Sequence, residues 1–313
     1  MTNTQQSVSA IGGANIDIHG RSHRDLRHHD SNPGNVHLSA GGVARNVAEN
    51  LVRLGVDCRL ITAIGDDEHG KMLQQLSRDA GIDMQYAHVI QTAATSTYLS
   101  VLDDKGDMLV GINDMSIMDH LTVEQLQSQL AMLKQSALAV LDCNLPGETL
   151  GWLAESLGDV PVFADTVSAA KAARLKPHLH AMHTLKTSTI EVEALTGLDA
   201  GSETHLQNIA DQLHNEGVER VFVTRGEDGV FFSTEDGRGT RKLSREQQIH
   251  NAGGAGDAFL AGLAYTWLQG ASLEDTMQFS LAAADITLSA STTSSPALSV
   301  AAVNQLLETR HAS

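Results

Sequence analysis

One segment near the C-terminus combines a glycine-rich turn with a single acidic side chain: Gly254-Ala255-Gly256-Asp257. It runs directly into an apolar stretch, residues 258–263, that is typical of a buried helix. The first amides of a helix have no acceptor inside it and the helix dipole is positive there, so this start favours a bound phosphoryl group. Asp257 would repel that anion, and we therefore interpret it as a general base that accepts a hydroxyl proton, with the amides of residues 254–256 as an anion hole. A glycine-rich turn capped by the aspartate is the structural alternative.

The composition bounds the class of protein that this site can belong to. The chain has 313 residues, 42% hydrophobic and 4% aromatic residues, 27 glycines and a formal net charge of −17. Such a charge repels nucleic acid and anionic membrane surfaces, so neither is expected as a partner. The N-terminus lacks the basic start and apolar core of a signal peptide, and no apolar run is long enough to span a bilayer. We expect a cytoplasmic protein with one domain over residues 1–313.

Strand-like and helix-like patterns alternate along most of the chain. Short apolar runs at residues 8–11, 57–64, 138–142, 162–165 and 221–224 predict strands, and helical spacing at residues 44–54 and 68–80 predicts helices between them. This alternation predicts α/β architecture with a mostly parallel central sheet. Ligands bind such sheets at the carboxyl ends of the strands, and the glycines and acidic residues follow the strand-like runs.

Two segments interrupt the alternation. Residues 18–40 are polar and read as a loop, and residues 95–112 read as a β-hairpin with its turn at residues 103–106. We expect segments of about 18–40 and 92–115 to form a small β-sheet lid over the active site, with a surface excursion as the alternative.

Four motifs occur in order along the chain and together identify a resemblance. They are Gly13-Ala14-Asn15-Ile16-Asp17, Gly41-Gly42-Val43-Ala44-Arg45-Asn46, residues 64–70 and Gly254-Ala255-Gly256-Asp257. The chain resembles the ribokinase-like (PfkB) family of sugar and nucleoside kinases over essentially its whole length. This resemblance implies a three-layer α/β/α domain and transfer of phosphate from ATP with Mg²⁺. Within the family, residues 31–34, 98–103 and 112–115 are most similar to members that phosphorylate the 5′-hydroxyl of pseudouridine.

The resemblance also implies residues that hold the nucleoside. Asp17, with Asn15 beside it, would accept hydrogen bonds from the ribose hydroxyls, which suits a carboxylate facing a vicinal diol. Gly41 and Gly42 would let the backbone approach the sugar, and the Asn46 amide could donate to and accept from a hydroxyl. An Asx turn at Asp17 and a solvent-facing Asn46 are the alternatives. Asn113 is our candidate for reading the base, because an amide can pair with an imide edge; a turn asparagine is the alternative.

The ATP side rests on the resemblance as well. Thr224, Gly226 and Gly229 would line the nucleotide loop and Lys186 would help to order phosphates, although the loop alone could be an ordinary hairpin turn. Glu191 would act on Mg²⁺ through water, since this ion keeps several of its waters. Two positions depart from the family pattern, Ser188 in place of asparagine and Gly253 in place of threonine. These departures put the catalytic rate and the metal requirement in question.

Some properties stay open at this point. The hydroxyl-rich segment 289–295 could line a K⁺ site or be a flexible loop. An exposed small sheet has edges and a face to cover, so a homodimer through the lid is plausible. A kinase for ribose or another nucleoside, and a nucleoside-binding sensor with weakened catalysis, remain as rival functions.

Overall fold

The computed structural model describes residues 7–242, 253–290 and 292–311. Its strands are β1 Val8–Ile11, β2 Asn15–Ser22, β3 Gly34–Gly41, β4 Cys58–Ile61, β5 Ala63–Gly65, β6 His88–Ile90, β7 Thr97–Leu102, β8 Met108–Asp114, β9 Leu138–Asp142, β10 Val162–Asp165, β11 Thr184–Ser188, β12 Arg220–Thr224, β13 Val230–Thr234 and β14 Gly237–Arg241. Its α-helices are α1 Val43–Arg53, α2 Glu68–Asp79, α3 Val123–Gln127, α4 Leu130–Leu133, α5 Gly147–Ser156, α6 Ala169–Ala172, α7 Thr189–Thr196, α8 Glu203–Asn215, α9 Ala255–Leu268, α10 Leu273–Leu288 and α11 Val300–His311. Short 3₁₀ helices span Ser116–His120, Ala173–Ala181 and Gly226–Asp228.

The central sheet has eight strands in the order β14-β13-β12-β11-β10-β9-β1-β4. The six strands from β12 to β4 in this order run parallel, whereas β13 and β14 extend the sheet as antiparallel strands. The predicted parallel sheet is therefore confirmed, and the nucleotide-loop segment 223–230 is the connection of an antiparallel hairpin. The carboxyl ends of β1, β9, β10 and β11 meet at one edge of the sheet.

Buried apolar side chains cover both faces of this sheet. On β9, Ala139 and Leu141 belong to one core cluster with residues of α5, α7 and α8, while Leu138 and Val140 belong to a second cluster with residues of α1 and α9. Successive side chains of a strand point to opposite faces, so a strand such as β9, whose residues 138–141 are all apolar, requires helices on both sides. The three-layer α/β/α arrangement follows from these strands.

The segments predicted to form a lid build a four-stranded sheet in the order β3-β2-β7-β8, and this sheet is called the lid below. The predicted hairpin is confirmed as β7 and β8, but the interpretation of residues 18–40 as a loop was wrong. This segment supplies most of β2 and β3, which pair antiparallel from Asn15 opposite Gly41 to Ser22 opposite Gly34. Its apolar residues alternate with histidines and other polar residues, so only every second side chain carries a strand signal.

The expected strand at residues 57–64 is divided in two. Strand β4 joins the central sheet, while β5 leaves it and pairs with β6 in a separate two-stranded sheet. The other predicted elements agree with the structure to within one or two residues at each end. Among the described residues, none of the helices combines the length and the apolar character that crossing a membrane requires.

Candidate active site

Helix α9 begins at a tightly packed glycine. Gly254 precedes the helix with φ 78° and ψ −8°, a left-handed conformation that disfavours other residues. A Cβ atom added there would lie 1.8 Å from the backbone oxygen of Thr293, so the segment around Thr293 packs directly on the glycine. The amides of Ala255, Gly256 and Asp257 form the first turn, where a helix provides no internal acceptor. The residues predicted to form the anion hole are thus part of a tightly packed helix start.

Asp257 lies in that first turn with 7% of its surface exposed. Its Oδ2 atom accepts a hydrogen bond of 2.9 Å from Nδ2 of Asn46 on α1. Burial raises the pKa of Asp257 to about 7, with Asp165 and Asp142 adding to the rise and Lys186 and Asn46 opposing it. Desolvation therefore keeps the carboxyl group of Asp257 about half protonated at neutral pH, which suits a group that must accept a proton.

The side chain of Lys186 lies between the first turn of α9 and the carboxyl end of β10. Its Nζ atom forms a buried ion pair of 2.9 Å with Oδ2 of Asp165, the residue opposite it in the sheet register. A Cβ atom on Gly256 would lie 2.6 Å from this Nζ, so the ammonium group rests against the first turn of α9. Burial alone would lower the pKa of Lys186, but Asp165, Glu191 and Asp257 raise it overall. The lysine is therefore a permanent positive charge beside the helix start.

Asp17 and the residues expected to surround a sugar lie at the base of the lid. Asp17 is a buried residue of β2, not an Asx turn, and its Oδ1 accepts a 2.6 Å bond from Nδ2 of Asn15. Burial raises the pKa of Asp17, whereas the Asn15 bond, His19 and Arg45 lower it. Gly41 lies against the Asp17 carboxylate, and Gly42 has φ 98°, where an added Cβ atom would lie 2.5 Å from the Cα of Ala14.

One face of the lid carries a row of polar side chains. The register places Ser39 and Tyr98 opposite Asp17 on either side, and Asn113 opposite Tyr98 on the outer strand. Residues paired in this way point to the same face, and two strand spacings separate Asp17 from Asn113 by roughly 10 Å. Asn113 is exposed and belongs to β8, which excludes the turn alternative. Tyr98, between them, was not among the candidate residues.

The residues of the predicted nucleotide loop lie at or after the carboxyl end of β12, the strand next to β11. Thr224 ends β12 opposite Ser188, and its Oγ1 donates to the backbone oxygen of Thr187 at 3.2 Å. Gly226 and Gly229 have φ 57° and 83°. A Cβ on Gly229 would lie 2.2 Å from the backbone oxygen of Arg241, so glycine is required there by strand β14.

Glu191 and Ser188 form a capping box at the start of α7. Ser188 Oγ accepts from the Glu191 amide at 3.4 Å, and Glu191 Oε2 accepts from the Ser188 amide at 2.8 Å and from Thr166 Oγ1 at 2.6 Å. The serine that departs from the family pattern therefore serves as a helix cap. One carboxylate oxygen of Glu191 is committed to these local bonds.

The sequence interpretation missed a buried carboxylate at the centre of the site. Asp142 ends β9 and accepts hydrogen bonds of 2.8 to 2.9 Å from the amides of Gly13, Ala44 and Asn144. Burial raises its pKa to about 6 against these three bonds. Through these bonds Asp142 connects the end of β1 to the start of α1. Its position at the end of an apolar run was the sequence feature that could have identified it. Lys171, also missed, donates to Asn144 Oδ1 at 2.6 Å.

Comparison with known proteins agrees with this architecture. The pfkB family carbohydrate kinase profile matches residues 5–300, so the chain belongs to the pfkB family of carbohydrate kinases. Ribokinase of Arabidopsis thaliana, solved in complex with ribose and ATP, superimposes with a TM-score of 0.87 over 97% of this chain and 99% of that one, at 20% identity. The fold is accordingly ribokinase-like.

Two relatives from Escherichia coli K12 resemble the chain over nearly its whole length. Pseudouridine kinase is 36% identical over 301 residues, covering 96% of each protein. The uncharacterized sugar kinase YeiI is 35% identical over 297 residues, covering 94% of this chain and 82% of that protein. The two identities are almost equal, so they support a kinase and leave its acceptor undecided.

Proposed function

We propose that the protein transfers the terminal phosphate of ATP to the 5′-hydroxyl of pseudouridine. The observation that carries the proposal is the arrangement at the start of α9. There a buried carboxylate with a pKa of about 7 lies one residue from Gly256, against which the Lys186 ammonium packs. A proton acceptor and an anion site thus adjoin each other.

The phosphate side is formed by charge and by free amides. The first turn of α9 and Lys186 present N–H donors and a positive charge toward a transferring phosphoryl group, and they are already fixed before ATP binds. Thr224, Gly226 and Gly229 lie beyond Lys186 along the sheet edge, where the rest of the nucleotide would extend. Glu191 would contact Mg²⁺ through water, using the oxygen outside its capping box. Bound Mg²⁺ would neutralise the developing phosphate charge.

Asp257 acts on the acceptor alcohol. Its ionised form takes the hydroxyl proton as the phosphoryl group arrives, and the Asn46 amide holds the carboxylate in place. Because phosphoryl transfer has a loose transition state, most of the rate comes from positioning and charge, with the base contributing roughly a hundredfold to ten-thousandfold.

The lid supplies the acceptor site. Asp17 and Asn15 would bind the ribose hydroxyls, and Asn113, on the same face roughly 10 Å away, would reach the base. Pseudouridine joins its base through carbon and so has one more N–H donor than uridine, which an amide oxygen can accept. Asn113→Ala should therefore reduce discrimination between these two nucleosides.

A second candidate function is phosphorylation of another nucleoside or of ribose. The nearly equal similarity to the uncharacterized sugar kinase YeiI favours keeping it. A catalytically weakened sensor is a third candidate, based on the departures at Ser188 and Gly253.

An ATP-consumption assay over pseudouridine, uridine, adenosine, inosine and ribose separates these candidates. We expect turnover to be highest with pseudouridine, to require Mg²⁺ and to fall roughly a hundredfold or more in Asp257→Asn. Adding or omitting K⁺ tests whether the segment 289–295 holds a monovalent cation. Preference for another acceptor would replace the substrate assignment, and tight nucleoside binding without turnover would favour the sensor.

The same lid would also join two copies of the chain. Val36, Leu99, Val110 and Ile112 are exposed, and the register places them on the face opposite Asp17. An exposed apolar sheet face of this kind is typical of an association surface. We propose that it pairs with its counterpart in a homodimer.

A further inference from the structure

Arg45 lies next to Asn46 on α1 but is almost completely buried, with 4% of its surface exposed. Its Nη1 atom donates to Oδ1 of Asn46 at 3.3 Å and to the backbone oxygen of Ala40 at 3.4 Å. The same Asn46 donates from Nδ2 to Oδ2 of Asp257 at 2.9 Å. The Asn46 amide therefore stands between a guanidinium group and the proposed catalytic carboxylate.

The chemistry of the two neighbours fixes which way this amide points. A guanidinium group can only donate hydrogen bonds, and an ionised carboxylate can only accept them. The amide must then turn its oxygen to Arg45 and its NH₂ group to Asp257. Thr293 Oγ1, which lies 3.4 Å from Asn46 Oδ1, adds a second donor on the oxygen side.

We propose that Arg45 is a positioning residue for catalysis, which orients Asn46 so that an N–H donor always faces Asp257. This inference rests on the proposed role of Asp257 as the base. The consequence is a larger ionised fraction of the base, because a hydrogen bond to the charged form of a carboxylate favours that form. Without Arg45 the amide can rotate, and its oxygen can then accept a hydrogen bond from the protonated carboxyl group of Asp257, which favours the uncharged form.

Arg45 is itself held by an ionic ladder along α1. Its guanidinium pairs with Glu49 Oε2 at 2.5 Å, and Glu49 Oε1 accepts from Arg53 Nε at 3.0 Å. The three side chains repeat every fourth residue and line a cavity of about 400 Å³ between α1, α2, β3 and residues 292–296. Burial of the Arg45 charge is tolerated here because Glu49 neutralises it, and this direct pair with Glu49 keeps Arg45 directed at Asn46.

Other charged groups also face Asp257 and set the background for this effect. Lys186 approaches from β11, Asp165 from β10 and Asp142 from β9. The charge of Arg45 acts chiefly on Glu49, Arg53 and Asp17. The influence of Arg45 on Asp257 should therefore pass through the Asn46 amide rather than act directly.

The test is the pH dependence of kcat/KM for the nucleoside at saturating MgATP. In Arg45→Met the acid limb should move up by about 1 pH unit, which lowers kcat/KM about ninefold at pH 6 but only about twofold at pH 8. Asn46→Ala should move the limb by a similar amount. The double variant should show no further movement, because both changes remove the same hydrogen bond.

Arg53→Met is the matched control, since Arg53 also pairs with Glu49 but does not touch Asn46. Its acid limb should stay at the wild-type pH. A purely structural role for Arg45 would lower thermal stability and leave the limb in place. An unmoved limb in Arg45→Met, or a limb that moves further in the double variant, overturns the proposal.

Arg45→Lys provides the test if methionine is not accepted in the buried site. Lysine is also a cation that can only donate hydrogen bonds, so the acid limb of the Arg45→Lys profile should remain at the wild-type pH. A limb that moves as far as in Asn46→Ala overturns the proposal. Failure of the base assignment itself is distinguishable, since Asp257→Asn would then keep both near-normal turnover and the acid limb.

Discussion

A Cβ atom on Gly41 would lie 2.3 Å from Oδ2 of Asp17, so the glycine leaves the space that the carboxylate fills. Gly41 ends β3 and pairs with Asn15, two residues before Asp17 on β2. The sequence suggested that this glycine allows the backbone to approach a sugar. The structure shows that it leaves room for the buried carboxylate of Asp17 at the base of the lid.

Gly41→Ala should therefore impair the nucleoside site and spare the ATP site. The new methyl group displaces Asp17 and weakens its bonds to the ribose hydroxyls, so the KM for nucleoside should rise roughly tenfold to a hundredfold. The KM for ATP should change little. Gly20→Ala is the control in the same lid, because its Cβ would meet no atom closer than 3.8 Å. Equal effects of the two variants on steady-state kinetics would contradict the prediction.

Asp257→Asn should stabilise the protein at alkaline pH. The folded-state pKa of about 7 lies above the usual value of 3.8, so the folded protein binds this proton more tightly than the unfolded chain does. Asp257 therefore does not lower the free energy of unfolding while it is protonated. Its ionisation lowers that free energy progressively as the pH rises through 4 to 7. Asparagine does not ionise, so its Tm advantage should grow from pH 5 to pH 8 by about 2 °C or more. Differential scanning calorimetry at both pH values measures it; a pH-independent difference in Tm would count against the raised pKa.

Lys186→Met should cost both stability and phosphate binding. It leaves Asp165 buried without its cation, a loss of about 3–5 kcal/mol in the free energy of unfolding. Combining it with Asp165→Asn removes the uncompensated charge and should recover much of that stability. The KM for ATP should remain high in the double variant, because the positive charge beside Gly256 is still missing. Denaturant unfolding and steady-state kinetics together separate the two roles, and recovery of both would restrict Lys186 to a structural part.

Ile112→Glu should dissociate a homodimer formed through the lid. Ile112 is 61% exposed on the apolar lid face, and a charge there would have to be buried in the interface. Val89→Glu is the control, since Val89 is 51% exposed on β6, outside the lid. Light scattering after gel filtration should give a monomer for the first variant and a dimer for the wild type and the control. A monomeric wild type would refute the assembly.

The sequence predicted the parallel sheet because β9 and β10 are buried on both faces and carry uninterrupted apolar runs at residues 138–141 and 162–164. It failed at β2 and β3, where one face is polar and the alternation is broken by glycine and charged residues. The order of the four motifs supplied the candidate site residues, but Asp142 and Arg45 were not among them. Asp142 accepts hydrogen bonds from residues 98 and 129 positions away, and Arg45 is a buried charge on α1; a local pattern records neither property.

Residue types and their order along the chain determined the architecture, the family and the identity of the acid at the start of α9, because strand burial and helix-start chemistry are local properties. Only the tertiary structure decided the pKa of that acid. The pKa of Asp257 depends on desolvation and on Asp165, Lys186 and Asn46, which lie on three separate elements. Electrostatic interactions act through space, and the chain positions of these groups carry no information on the distances between them until the sheet and α1 are assembled.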